Sequence, residues 1–348
     1  MRRLIITLLL VITGLACGLN TALPARDASA AEVQTASPAG GSTLTLPNKD
    51  GSVKFAVIGD MGTGDSHQRE VGQALANARA KFKFDFVVMM GDNIYGSDKP
   101  SDYQKKFEVP YKALLDGGVK FYAALGNHDN PNQRYYKPFN MNGERYYSFK
   151  PSLTANVRFF ALDSNYMDEK QLQWLDKELA ASGSDWKIAF FHHPPYSSGE
   201  THGSADLLRD QLEPLFIKHG VSLVLTGHEH FYERIKPQKG ITYIIQGSSA
   251  KLRKGDISQT NLTAKGWDGG YTYQLMEISG DDLAFQTLSS TGQTIDSGTI
   301  KRIEVKTPQG TRPITTSAAP APKPAEPVGT GGKSAPSSQS GQPAQPRK

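Results

Sequence analysis

Five short polar runs in this 348-residue chain each follow an apolar stretch and carry side chains that bind cations or move protons. They are Gly59-Asp60-Met61-Gly62, Gly91-Asp92-Asn93-Ile94-Tyr95, Gly126-Asn127-His128-Asp129, His192-His193-Pro194 and Gly227-His228-Glu229-His230. Brought together, they supply two Asp, one Asn, one or both of the paired His192 and His193, both His of the last run, and Tyr95. Carboxylates and imidazoles drawn to one point repel or waste each other unless a cation lies among them. Seven donors exceed the roughly four to six ligands that one ion takes. They suit two ions sharing a carboxylate, which at a separation of about 3.5–4 Å is a recurring arrangement for phosphoryl transfer.

The elements that must position these residues follow from hydrophobic periodicity. Apolar runs at 53–58, 86–90, 119–125, 157–162, 187–191 and 221–225 read as strands. Between them, Val71, Ala74, Leu75, Ala78 and Phe82, then Leu172, Leu175 and Leu179, then Leu207, Leu208, Leu212, Leu215 and Phe216 recur at helical spacing. After His230 the pattern is mostly strand, at 241–246, about 271–279, 282–288 and 297–304. Alternating strands and helices predict an α/β fold with a largely parallel sheet, and the late strands with Tyr146–Phe149 predict a second or mixed sheet. In open α/β sheets ligands gather at the carboxyl ends of strands. The five polar runs lie at such ends, and their glycines let the chain turn there without a Cβ clash.

The five runs, in this order, resemble the five blocks of calcineurin-like metallophosphoesterases, and in detail the purple acid phosphatases of the small tartrate-resistant type. The resemblance covers about residues 53–250, and more weakly the strands up to 304. It implies a sandwich of two mixed β-sheets flanked by helices, with the active site at the carboxyl ends of strands. Most metallophosphoesterases carry Asp-x-His in the first block, where the His is a ligand; here position 62 is Gly. Tyr95 sits where purple acid phosphatases place a tyrosinate, a hard donor that favours Fe(III). The resemblance therefore implies Fe(III) held by Asp60, Asp92, Tyr95 and His230. It implies Zn(II), Fe(II) or Mn(II) held by Asp92, Asn127, His192 and His228, with Asp92 bridging. The family spacing His-x-Pro selects His192 as the ligand and leaves His193 to packing. His128 and His202 match active-site histidines that stabilise phosphate or protonate the leaving alcohol.

Each of these residues also has a plainer reading. An Asp or Asn after a strand commonly caps a turn, a lone Tyr is core or rim, and His202 in a loop is solvated. His67 and His219 have no functional reading, and His219 suits a helix end, where a cation is favoured.

The two ends of the chain differ from the body. Arg2 and Arg3, the apolar run Leu4–Leu15 and Ala28-Ser29-Ala30 predict an export signal over 1–30, too short in its apolar run for a membrane span. The single cysteine, Cys17, falls within it, so no disulfide framework is expected. A polar linker is expected over 31–50, the catalytic domain over 51–305, and a basic, disordered Pro/Ala/Ser-rich tail over 306–348, which holds nine of the 21 prolines. The net charge of +5 belongs to these ends, since residues 31–305 carry 30 basic and 32 acidic side chains. No nucleic-acid surface is therefore expected on the folded domain.

The sequence thus predicts an exported, periplasmic or secreted binuclear-metal acid phosphatase. Its substrate would be a small-molecule phosphate ester or phosphorylated substrate, a monoester attacked by a metal-bound hydroxide. No transmembrane span is expected in the mature protein, and the tail is a candidate contact to the cell envelope. The rivals are a phosphodiesterase or nucleotide hydrolase on the same metal site, and a non-catalytic envelope protein that binds phosphate or metal.

Overall fold

Side-chain alternation along the central strands decides the layering. The computed structural model describes residues 43–258 and 260–304; the expected export signal and tail lie outside them. In chain order the strands are β1 (Val53–Ile58), β2 (Phe86–Met89), β3 (Lys120–Ala123), β4 (Tyr147–Phe149), β5 (Val157–Ala161), β6 (Trp186–Phe190) and β7 (Leu223–Thr226). They continue with β8 (Tyr232–Ile235), β9 (Thr242–Gln246), β10 (Thr263–Trp267), β11 (Thr272–Ser279), β12 (Asp282–Ser289) and β13 (Thr294–Lys301). The α-helices are α1 (Ser66–Lys81), α2 (Pro100–Tyr103), α3 (Lys112–Asp116), α4 (Glu169–Ala181) and α5 (Asp206–His219).

The strands form two mixed sheets, ordered β13-β12-β11-β1-β2-β3 and β10-β8-β9-β7-β6-β5-β4. In the first, β1, β2 and β3 are parallel and β11 joins β1 antiparallel. In the second, β5, β6, β7 and β9 are parallel, with antiparallel partners at both edges. The architecture is α/β with helices flanking two mixed sheets, as expected. On β5, Phe159 packs edge-on against Phe55 and Phe86 of the first sheet, with ring centroids 5.1 and 5.4 Å apart. Its neighbour Phe160 faces the other way, into a second core with Leu175 and Leu179 of α4 and Leu212 and Phe216 of α5. The period of two thus assigns one face of β5 to the sheet interface and the other to helices.

Local signals account for the helix ends. The Asp65 and Asp168 side chains accept from the backbone N–H groups of Gln68 and Gln171, capping α1 and α4. Gly220 ends α5 in the left-handed conformation, φ 71°.

The structure differs from the sequence reading in several places. Leu207, expected on the inward stripe of α5, is 84% exposed, because Leu208, Leu212 and Phe216 already fill the buried face. β8 and β10 escape the hydropathy pattern: β8 reads Tyr-Glu-Arg-Ile, and its charges are paired rather than solvated. Glu233 accepts from Ser198 N and Thr263 Oγ1, and Arg234 bridges Asp296. β13 begins at Thr294 and ends at Lys301, ahead of the expected 297–304. The last part of the expected linker is docked on the body: Leu44 and Leu46 pack against the core, and Glu277 accepts from the backbone N–H groups of Asn48 and Lys49. Among the described residues, no helix is long and apolar enough to cross a membrane.

Candidate metal centre

The five polar runs meet where the parallel strands of both sheets end. Backbone bonds fasten the runs to one another. Asp60 N donates to Gly91 O, Gly62 N to Asp92 O, and Gly227 N to His192 O. Asp60 Oδ2 accepts from His228 N at 2.9 Å, which ties the first run to the last across the two sheets. Asp60, Asp92 and His228 all have positive φ, at 55°, 53° and 70°. Such backbone costs on the order of 1–3 kcal/mol per residue and persists where surrounding structure over-determines it.

Glycines permit the close approach. A Cβ on Gly126 would stand 2.2 Å from Asp92 Oδ1, and one on Gly227 2.4 Å from Asp60 Oδ2. A Cβ on Gly62 would stand 2.0 Å from Asn93 O. The position where most of the resembling family carries a histidine ligand is therefore flush against backbone.

Two groups of donors result. In the first, Tyr95 Oη lies 3.3 Å from both Asp60 Oδ1 and His230 Nε2, and His230 Nε2 lies 3.5 Å from Asp60 Oδ1. Asp60, Asp92 and His230 can each point a ligand atom at one ion. In the second, Asn127 Oδ1 lies 2.9 Å from His192 Nε2 and 3.0 Å from His228 Nδ1, and those two ring nitrogens are 3.1 Å apart. Asp92 Oδ1 joins the groups, 3.5 Å from His192 Nε2, and is oriented by the N–H of His128 at 3.0 Å. His193 also offers a ring nitrogen to the second group. Its Nδ1 lies 2.9 Å from Ser164 Oγ.

The protonation pattern fits cations. His192 Nδ1 faces the carbonyl of Met90 at 2.9 Å. A carbonyl only accepts, so the proton sits on Nδ1 and the Nε2 lone pair faces the centre. Burial, and after it neighbouring histidines, holds His192 well below the usual imidazole range and His228 down to about 2. Burial, and after it Arg253, holds His230 down to about 4. All three are therefore in the neutral form that binds metal. Burial and then the Asp92 charge push the Asp60 carboxyl up, while burial and then the Asp60 and Asp92 charges push the Tyr95 phenol up. Lone pairs from neutral rings and an amide oxygen, converging beside crowded acids, are what a bound cation relieves, and its charge inverts the preference of the acids.

His128 and His202 stand exposed at the mouth. The His128 ring lies 5.0 Å from that of Tyr95, and the His202 ring stacks on His228 at 4.2 Å. Both borders of the centre thus carry an imidazole outside the donor groups.

The structure draws in residues the sequence reading left without a role. Asp129 Oδ2 accepts from Asn93 N, Asn93 Nδ2 and Gly126 N, and Oδ1 from Ile94 N, locking the Asp92 turn to the Asn127 turn. Glu229 is buried and its Oε1 accepts from Gly203 N at 2.8 Å and Ser197 Oγ at 3.3 Å, holding the loop that carries His202. Lys106 Nζ donates to Tyr95 O at 2.7 Å and pairs with Asp102 at 2.8 Å, fixing the Tyr95 turn from behind. Asp129 and Glu229 lie inside the polar runs, so their positions were visible; Lys106 offers only its i,i+4 spacing to Asp102, which does not point to Tyr95.

Residues 53–232 match the calcineurin-like phosphoesterase family. The chain belongs to that family. This phosphoesterase is 27% identical over 250 residues to purple acid phosphatase 17 of Arabidopsis thaliana, covering 62% of this chain and 74% of the relative. It is 24% identical over 305 residues to human tartrate-resistant acid phosphatase type 5, covering 72% of this chain and 93% of the relative. Among solved structures it shares its fold with GAP50, the anchor in the inner membrane complex of Plasmodium. That match has a TM-score of 0.63 and 20% identity over 73% of this chain and 90% of GAP50. This metallophosphoesterase thus has purple acid phosphatase homologues and is a phosphoric ester hydrolase.

Proposed function

We propose that this phosphoesterase is an exported binuclear-metal acid phosphatase acting on phosphate monoesters. The observation that carries the reading is the pair of donor groups joined through Asp92. Asp60, Asp92, Tyr95 and His230 would hold Fe(III), and Asp92, Asn127, His192 and His228 would hold Zn(II), Fe(II) or Mn(II). When bound, such a pair neutralises phosphate charge and supplies an activated water as the nucleophile. The chain's own residues do the rest. The glycine-lined turns keep the donors within reach of one another, and the tautomer of His192 keeps its lone pair inward. His128 and His202, on opposite borders of the mouth, reach phosphate oxygens and deliver a proton to the departing alcohol.

The GAP50 likeness rests on fold alone; the reading as an enzyme rests on the donor set and on the acid phosphatase relatives. Export rests on the leader-like residues 1–30, and the basic tail is the part suited to touch an anionic envelope.

The test combines metal analysis, a visible spectrum and a panel of mono- and diesters across pH on one sample. Iron, a visible tyrosinate-to-iron band that Tyr95→Phe abolishes, and faster monoester than diester turnover are expected. A protein without iron or visible band defeats the Tyr95 assignment, and faster diester turnover defeats the monoester assignment.

A further inference from the structure

A cleft of about 630 Å³ opens beside the metal centre, and the reaction as described makes no use of it. Asn127 and His193 line it, so the cleft adjoins the second donor group and is within reach of a group attached to phosphate there. Its lining also includes Tyr166 and Leu207, which are 60% and 84% exposed. Singly, exposed apolar side chains are ordinary. Two of them at one cleft, next to a reaction centre, make a surface on which a flat apolar group can lie.

The Tyr166 ring is braced rather than loose. The Arg145 guanidinium carbon lies 5.6 Å from its centroid, and Arg145 is itself held by Asp163 at 3.1 Å. The floor has few donors to spare: Asn165 Nδ2 already serves the carbonyls of Leu125 and Gly126, and Ser164 Oγ already pairs with His193. Recognition here is therefore by stacking more than by hydrogen bonding. Charge narrows the class further. Asp129, Asp163 and Asp206 line the cleft, Asp163 and Asp206 being paired with Arg145 and Arg209, and none of its described lining residues is Lys or Arg. A second anionic group on the substrate would meet no unpaired cation in this lining.

We propose that this cleft seats the leaving group of the ester and selects phosphate monoesters whose alcohol carries a flat aromatic ring and no second anionic group. The inference rests on the phosphatase reading of the adjoining centre and names its substrate class. In the step served, water adds to phosphorus, the bond to the alcohol oxygen breaks, and the alcohol leaves with a proton while its ring stays on Tyr166 and Leu207.

Adenosine 5′-monophosphate and glycerol 3-phosphate are the probes, because both are primary alkyl esters of similar intrinsic reactivity. The metal-loaded full chain should favour the adenosine ester in kcat/KM, and adenosine diphosphate should be the poorer substrate of the two adenosine esters. The double substitution Tyr166→Ser with Leu207→Ser should lower the adenosine-to-glycerol ratio of kcat/KM at least about fivefold, mainly through KM, as loss of one base–aromatic stack does elsewhere. Adenosine itself, titrated calorimetrically, should bind the wild type and not the double variant, a readout that needs no turnover. Equal kcat/KM for the two monoesters, or a ratio the double substitution leaves unmoved, overturns the inference while the phosphatase reading stands. Absence of turnover on any ester refutes the phosphatase reading, and adenosine binding then still decides whether the cleft takes a ring.

Discussion

Replacing Gly126 by alanine probes the shared carboxylate with a single methyl group. Gly126 does not need a left-handed φ, so alanine is compatible with its backbone and the effect is steric. The new Cβ would stand 2.2 Å from Asp92 Oδ1 and 2.3 Å from Asp92 N. Ordinary non-bonded contacts begin near 3.5 Å, so Asp92 or the Gly126 turn must yield by about 1 Å. A displacement of that size at a reacting centre costs roughly 100-fold in rate, and Asp92 faces both donor groups. Gly126→Ala should therefore lower kcat about 100-fold on p-nitrophenyl phosphate and reduce bound metal per chain. Overpacking should cost about 1–3 kcal/mol of stability, measured by urea unfolding, which leaves the fold intact. Gly270→Ala is the control, since a Cβ there meets nothing within 4 Å. Activity of Gly126→Ala within threefold of wild type, with full metal content, would refute the reasoning that Asp92 is held in place by the bare glycine.

Two further outcomes can be checked. In metal-stripped protein, His230 is held down to about 4 while its unfolded form takes a proton near 6.5, so its contribution is complete above pH 6.5 and is lost as pH falls toward 4. Between pH 7 and 5 it should remove about 2 kcal/mol, so stripped His230→Gln should show a shallower loss in urea titrations than stripped wild type, and parallel curves would refute the assignment. Glu229→Ala removes the acceptor of Gly203 N and Ser197 Oγ, so amide hydrogen exchange across 197–204 should rise several-fold; unchanged exchange there would show that the His202 loop is held by other contacts.

Much of the fold was legible because its strands are apolar and end in polar turns. Period and turn chemistry separate β1, β2, β3, β5, β6 and β7 in the bare sequence, and all of these but β5 lead into a donor-bearing run. What stayed hidden has a common physical origin: charge whose partners come from elsewhere in the fold. Lys106, Glu229 and Glu233 are buried and Asp129 is half-buried; Asp129, Glu229 and Glu233 are matched by hydrogen-bond partners distant in sequence, while Lys106 joins nearby Asp102 to the Tyr95 carbonyl. A local pattern shows the charge and not the partner. Leu207 is the converse, an apolar residue at helical spacing that faces a cleft rather than the core. The ambiguity at His192-His193 was likewise tertiary. Only the carbonyl of Met90, a hundred residues away in the chain, fixes which nitrogen of His192 faces inward.

The tight seat at Gly62 reaches beyond this molecule's present chemistry. Gly62 N donates to Asp92 O, Tyr95 N donates to Gly62 O, and no side-chain atom fits between Gly62 and the Asn93 carbonyl. A histidine at position 62 and a tyrosine turn drawn flush against it are therefore rival courses of the main chain rather than interchangeable side chains. Placing a histidine at position 62 would take more than a change of that one side chain, because room for it requires shifting the Asn93 peptide and with it the carboxylate both donor groups share.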